Sequence, residues 1–216
     1  MNQISNKRNR SAHPAPGMPK AFLFDIGNVI IAFDFARTVS KLADQCAIGP
    51  DEALAKVGAL TPELELGRIL PGDFVSLASE TIGYAGEPEF FRSAFEDIFE
   101  LNRPIVEFIE GQKAGDAELH LLSNTNGIHA PFFEKTYPVF ELFDGRIYSH
   151  EVGAMKPDAR IYEIAIERLG LVPESTVYVD DLPGNCEAGR RAGFATIQYD
   201  MADHAGFLEA FERLEK

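Results

Sequence analysis

Residues Phe22–Ile31 read FLFDIGNVII. Three apolar residues run into Asp25, Gly27 and Asn28 follow, and the chain then turns apolar again. A short unbroken apolar run suits a strand covered on both faces, as in a parallel sheet. An acid at the carboxyl end of such a strand stands at the edge where open α/β sheets keep their ligands. A carboxylate placed there can act as a nucleophile or as a ligand for a hard cation. One Asp that closes a strand is by itself ordinary turn chemistry, so its reading depends on what the rest of the chain brings to the same edge.

Downstream of Ile31 the apolar period changes from strand to helix. Phe35, Val39, Leu42 and Cys46 predict a helix over Asp34–Gln45. Gly49-Pro50-Asp51, Pro71-Gly72-Asp73 and Glu87-Pro88 are three further helix starts, and Gly83 stands where a C-cap belongs. Phe90, Phe91, Phe95, Ile98 and Phe99 make the last of these helices the most apolar, a stripe read as packing. No strand is expected between Phe35 and Asn102. Alternation resumes with a helix opened by Asn102-Arg103-Pro104 and a strand at Leu119–Leu122 that ends in Ser123-Asn124-Thr125-Asn126. A strand at Arg146–Tyr148 and a helix over Pro157–Leu169 follow. Next come a strand at Thr176–Val179 ending in Asp180-Asp181, a helix near Asn185–Ala192, a strand at Ala195–Tyr199 and a helix over Phe207–Leu214. Strand alternating with helix argues for a doubly wound, mostly parallel sheet of the Rossmann-like α/β class, with an α-helical cap inserted. The expected organisation is a flexible tail over 1–19, a core formed by 20–33 and 103–216, and a cap over 34–102.

The 216 residues carry a net charge of −14 and are 45% hydrophobic. That balance fits a soluble globular protein and argues against nucleic acid or an anionic membrane as the partner. Two cysteines make no disulfide framework and no zinc cluster; Cys46 and Cys186 read as buried small hydrophobes. No apolar run is long enough for a membrane span, and residues 1–20 lack an apolar signal core, so a cytoplasmic location is expected.

Three strand ends carry reactive polar groups: Asp25, Ser123 and Asp180-Asp181. In a parallel sheet they share one edge. Lys156, in Gly153-Ala154-Met155-Lys156-Pro157, precedes a helix and adds a cation. A carboxylate nucleophile, a hydroxyl, an ammonium and further carboxylates for a divalent ion form the set that phosphoryl transfer needs. Bare carboxylates repel a phosphate dianion, so the cation is part of the requirement.

In this order FDIGNV (Phe24–Val29), LLSNTN (Leu121–Asn126), KPDARIY (Lys156–Tyr162) and VYVDD (Val177–Asp181) resemble the four motifs of the haloacid dehalogenase superfamily, in the subfamily with an α-helical cap. The variants look most like a bacterial branch acting on α-D-glucose 1-phosphate. The resemblance implies that Asp25 attacks phosphorus and forms an aspartyl phosphate. It implies that Asp25, Asp181 and the Gly27 carbonyl hold Mg²⁺, with Asp180 and Asn185 arranging the metal shell through water. Ser123 and the Asn124 backbone would bind phosphoryl oxygens, and Lys156 would pair with nucleophile and phosphate. The implied activity is Mg²⁺-dependent hydrolysis of a small phosphorylated metabolite, such as the sugar phosphate glucose 1-phosphate, by a monomer or homodimer. One departure stands out. Gly27 occupies the position where most phosphatases of this superfamily carry an acid/base Asp. A compliant leaving group, a substitute donor (Asp34, a His or a cap residue) or lost turnover are the three ways to read it. A metal-independent dehalogenase, a mutase and a non-catalytic phosphate-binding protein remain as alternatives. Asp34 is read as a helix N-cap, His129 and His150 as structural or exposed, and Glu65 and Arg68 as solvated cap surface.

Overall fold

The computed structural model describes residue 19 and residues 21–214, so the expected flexible tail lies almost wholly outside the described residues. The chain runs β1 (Ala21–Phe24), β2 (Ile31–Phe33), α1 (Ala36–Leu42), α2 (Pro50–Gly58), α3 (Thr61–Glu65), α4 (Pro71–Ile82), α5 (Pro88–Glu96) and β3 (Phe99–Leu101). It continues through α6 (Arg103–Ala114), β4 (Glu118–Ser123), α7 (His129–Thr136), β5 (Gly145–Tyr148), α8 (Ser149–Val152) and α9 (Ala159–Leu169). The last elements are β6 (Thr176–Asp180), α10 (Pro183–Arg191), β7 (Ala195–Gln198) and α11 (His204–Leu214).

Five strands form one sheet in the order β5-β4-β1-β6-β7, every neighbouring pair parallel. β1 is central and wholly buried, as its apolar sequence requires. Phe24 is level with Leu121 on β4 and Val179 on β6. The residues that follow these three therefore emerge together, on either side of the strand where the winding reverses direction. One face of the sheet packs Phe22, Phe24, Leu121 and Val179 against α6 and α11. The other packs Leu23, Leu122 and Tyr178 against α9 and α10.

The inserted helices α1–α5 have a core of their own, built on Phe74, Phe91, Phe95, Leu42 and Ile82. Pro opens α2, α4 and α5 at the first turn, where its missing N–H costs nothing. Gly83 caps α4 in the left-handed region (φ 63°), as its position predicts. Two expectations need correction. Phe99 is not on a cap helix, because α5 ends at Glu96 and Phe99–Leu101 pairs antiparallel with Ile31–Phe33. The strand-free reading of 35–102 therefore fails at its last few residues. Cys186 is buried, but Cys46 is only partly so. Among the described residues no helix is long and apolar enough to cross a membrane.

Candidate active site

The turn after β1 is made by its own sequence. The Ile26 carbonyl accepts from the N–H groups of Val29, Ile30 and Ile31, and Asn28 sits at φ 52°. Asn tolerates that left-handed conformation better than other side chains. The turn sends the Asn28 amide across to Asp181, where Nδ2 donates to Oδ2 at 3.3 Å. The sequence reading gave Asn28 no role; an Asn directly after a Gly in the turn that follows a strand is the signal it passed over.

Asp25 lies just beyond β1. Its Oδ1 accepts from the Ile26 N–H at 2.7 Å and pairs with Lys156 Nζ at 2.8 Å. Lys156 Nζ also donates to Asp180 Oδ2 at 2.6 Å. The ammonium is almost fully enclosed between two carboxylates. Burial disfavours its charge, but Asp25 and Asp180 outweigh that and hold its pKa above the ordinary value. Burial raises the pKa of Asp25, with Lys156 opposing and Asp180 reinforcing the shift. Burial raises Asp181 as well.

Asp25, Asp180 and Asp181 offer oxygens within 4.8 Å of one another. They are not equivalent. Asp180 is fully buried and accepts from Lys156, the Tyr178 hydroxyl, the Leu182 N–H and Asn185 Nδ2. Its lone pairs serve to hold Lys156 and the β6 turn. The Asp181 carboxylate accepts from Asn28 alone among the described residues, and faces the cleft with Asp25. One ammonium among three carboxylates leaves negative charge uncompensated, which is the donor chemistry a hard divalent cation satisfies.

The second strand edge supplies Ser123, buried at the end of β4, and Asn124. Asn124 does more than its backbone suggests. Its side chain donates to the Lys156 carbonyl at 3.0 Å and accepts from the Lys156 N–H at 2.8 Å. That two-way bond pins the lysine's backbone beside the site. Two adjoining cavities open here. One of about 240 Å³ is walled by Asp25, Asn28, Lys156, Asp181 and Asn185. A smaller one of about 80 Å³ is walled by Ser123, Thr125 and the rings of Phe33, Phe35 and Phe99. Gly27, Phe33, Asn124 and Glu65 border both. Glu65 is thus a wall of the cleft and not the solvated surface its cap position suggested. Arg68 is exposed and pairs with Glu63 at 2.9 Å, as surface residues do. Asp34 is exposed and accepts from the Ala36 N–H at 2.9 Å, in agreement with a capping role. A separate apolar cavity of about 190 Å³ between α1 and α2 contains no group capable of chemistry beyond Thr38 and Thr61.

His129 is structural, as expected. Nε2 meets the Phe95 carbonyl at 2.9 Å, Nδ1 meets Asn126 Nδ2 at 3.0 Å, and the ring stacks on Phe95. Those partners fix the neutral tautomer with the proton on Nε2. Burial drives its pKa down to about 4. Between pH 6.5 and 4 the unfolded chain then binds more protons than the folded one, so stability falls as pH falls through that window. The full shift is worth about 3 kcal/mol. Denaturant unfolding of wild type and His129→Gln at pH 7 and pH 4 should show that contribution in wild type and not in the variant. An equal pH dependence in both proteins would exclude it.

Fold and site together define an α/β protein with an aspartate–lysine–aspartate centre at the carboxyl edge of a parallel sheet. Residues 19–193 match the haloacid dehalogenase-like hydrolase family. D-ribitol-5-phosphate phosphatase of Bacteroides thetaiotaomicron is 26% identical over 190 residues, covering 84% of this chain and 92% of that protein. Glyceraldehyde 3-phosphate phosphatase of Methanopyrus kandleri is 28% identical over 202 residues, covering 84% of each. A haloacid dehalogenase family enzyme of B. thetaiotaomicron, crystallised with magnesium and inorganic phosphate, superposes with a TM-score of 0.75 at 23% identity, covering 84% of this chain and 94% of that one. The chain belongs to the haloacid dehalogenase-like hydrolases.

Proposed function

We propose that the protein is a divalent-metal-dependent phosphomonoesterase acting on a small phosphorylated sugar or polyol. The observation that carries this reading is the buried Asp25–Lys156–Asp180 triad, open on one side to Asp181. Asp25 attacks phosphorus, the bond from phosphorus to the ester oxygen breaks, and an aspartyl phosphate forms. Water then attacks that phosphorus and returns the Asp25 carboxylate. Lys156 favours the ionised form of Asp25 against the effect of burial and faces the phosphoryl group, and the Ser123 hydroxyl and the Asn124 N–H bind its oxygens. Asp25, Asp181 and the Gly27 carbonyl would hold Mg²⁺, which supplies charge neutralisation for the phosphoryl oxygens. Asp180 orients Lys156. The helical cap, residues 34–102, closes over the cleft and sets specificity.

The matched phosphatases act on ribitol 5-phosphate and glyceraldehyde 3-phosphate, and the polar walls of the larger cavity suit a hydroxylated leaving group. A carbon–halogen hydrolase would use the same nucleophile without a divalent ion; the open Asp181 beside Asp25 favours the phosphatase. The test is phosphate release from a panel of sugar and polyol phosphates that includes glucose 1-phosphate, with Mg²⁺ and with EDTA. Metal-dependent release from at least one ester is expected. Halide release from a haloacid, unaffected by EDTA, with no phosphate release, would establish the rival.

A further inference from the structure

At Gly27 the missing acid is also a missing space. A Cβ built there would lie 2.9 Å from Cε1 of Phe33, so the aromatic ring fills the direction an acidic side chain would take. Protonation of the leaving group must come from elsewhere. Asp34 is committed to the first turn of α1 and borders neither cavity. Both nitrogens of His129 are engaged. Apart from Asp25 and Asp181, Glu65 is the one acid that borders the two cavities among the described residues.

We propose that Glu65, supplied by the cap, is the catalytic acid and base of this enzyme in place of the side chain that Gly27 lacks. The inference rests on the phosphatase reading above. Glu65 ends the short helix α3, and the chain turns directly after it at Gly67, which has φ 68°. A Cβ at Gly67 would run into the His150 carbonyl of α8, so the backbone of the cap seats directly on the core two residues from Glu65. That seat holds Glu65 where the polar cavity of Asp25 meets the aromatic one. Among the described residues its carboxylate has no hydrogen bond and no ion pair. Burial raises its pKa to about 7, against the pull of Lys156, which suits a group that must both give and take a proton near neutrality. In the first step the P–O ester bond breaks and the departing oxygen takes the proton of Glu65. In the second, water attacks the aspartyl phosphate, the bond to Asp25 breaks, and the water's proton passes to the Glu65 carboxylate.

The experiment compares wild type, Glu65→Gln and Glu65→Asp on two esters in rapid-mixing kinetics with Mg²⁺. One is the sugar or polyol phosphate turned over fastest; the other is p-nitrophenyl phosphate, whose leaving group departs without a proton. For Glu65→Gln the first turnover of the sugar or polyol ester should fall about 10²–10⁴-fold. The first burst of p-nitrophenol should fall far less. On p-nitrophenyl phosphate the phosphoenzyme should then accumulate, because its formation is spared while water is no longer deprotonated, and Glu65→Asp should recover part of the loss on both esters. Equal losses of the first turnover on both esters would mark a structural effect and overturn the assignment, as would no loss on either. A wild type that releases phosphate from neither ester would instead remove the phosphatase reading on which the assignment stands.

Discussion

Asp25→Asn should abolish turnover and leave a protein that is more stable than wild type at neutral pH. The loss follows from removing the nucleophile, which in hydrolases with a covalent intermediate costs on the order of 10⁶-fold. The gain follows from the surroundings of the carboxylate. Asp25 is buried beside Asp180, and burial raises its pKa above the unfolded value. An acid whose folded pKa is raised favours the folded state at low pH, and that contribution disappears as pH rises through the shifted value. At pH 7.5 the ionised side chain is therefore a net cost, and an amide avoids it. The amide oxygen retains the Ile26 N–H and Lys156 as donors. A gain of roughly 1 kcal/mol in denaturant unfolding of the metal-free protein is expected, an amount equal to less than one pH unit of linkage. Loss of activity accompanied by loss of stability would show that Asp25 is a structural acid.

Stability and chemistry pull in opposite directions at this residue, and the sequence carries the reason. An acid after an apolar strand, opposite a second acidic strand end, is an expensive arrangement, since like charges are buried together. The parallel character of the sheet, the shared edge of Asp25, Ser123 and Asp180-Asp181, and the helix starts at Pro50, Pro71 and Pro88 were all readable, because they follow from the alternation of strand with helix and from local turn chemistry. Three features were not. The ribbon of β2 and β3 has three residues in each strand, shorter than any window in which periods of 2 and 3.6 separate, and its pairing joins residues far apart in sequence. The division of labour between Asp180 and Asp181 depends on Tyr178 and Asn185, which reach Asp180 from β6 and α10. Glu65 looked like surface because α3 has five residues and no stripe; only the docking of Gly67 on His150 turns it inward.

Lys156→Met should be the most destabilising single change at the site. The ammonium is the shared partner of Asp25 at 2.8 Å and Asp180 at 2.6 Å, and all three groups are buried. Removing one member of a buried ionic cluster leaves uncompensated charge, at a cost of about 3–5 kcal/mol. The methionine chain fills much the same space, so lost packing contributes little. The deficit should be largest above neutral pH and shrink on acidification. Without the ammonium, Asp25 keeps burial and Asp180 as influences, both of which raise its pKa, and protonation at low pH relieves it. Unfolding of wild type and variant at pH 8 and pH 5 measures the difference. A deficit independent of pH would mean that packing dominates. Adding Asp180→Asn to Lys156→Met should recover part of the stability, because one of the two stranded charges is gone. It should recover no turnover, because the phosphoryl group still lacks the cation that faces it. Recovery of turnover by that pair would remove Lys156 from the chemistry and leave it only the task of neutralising Asp180.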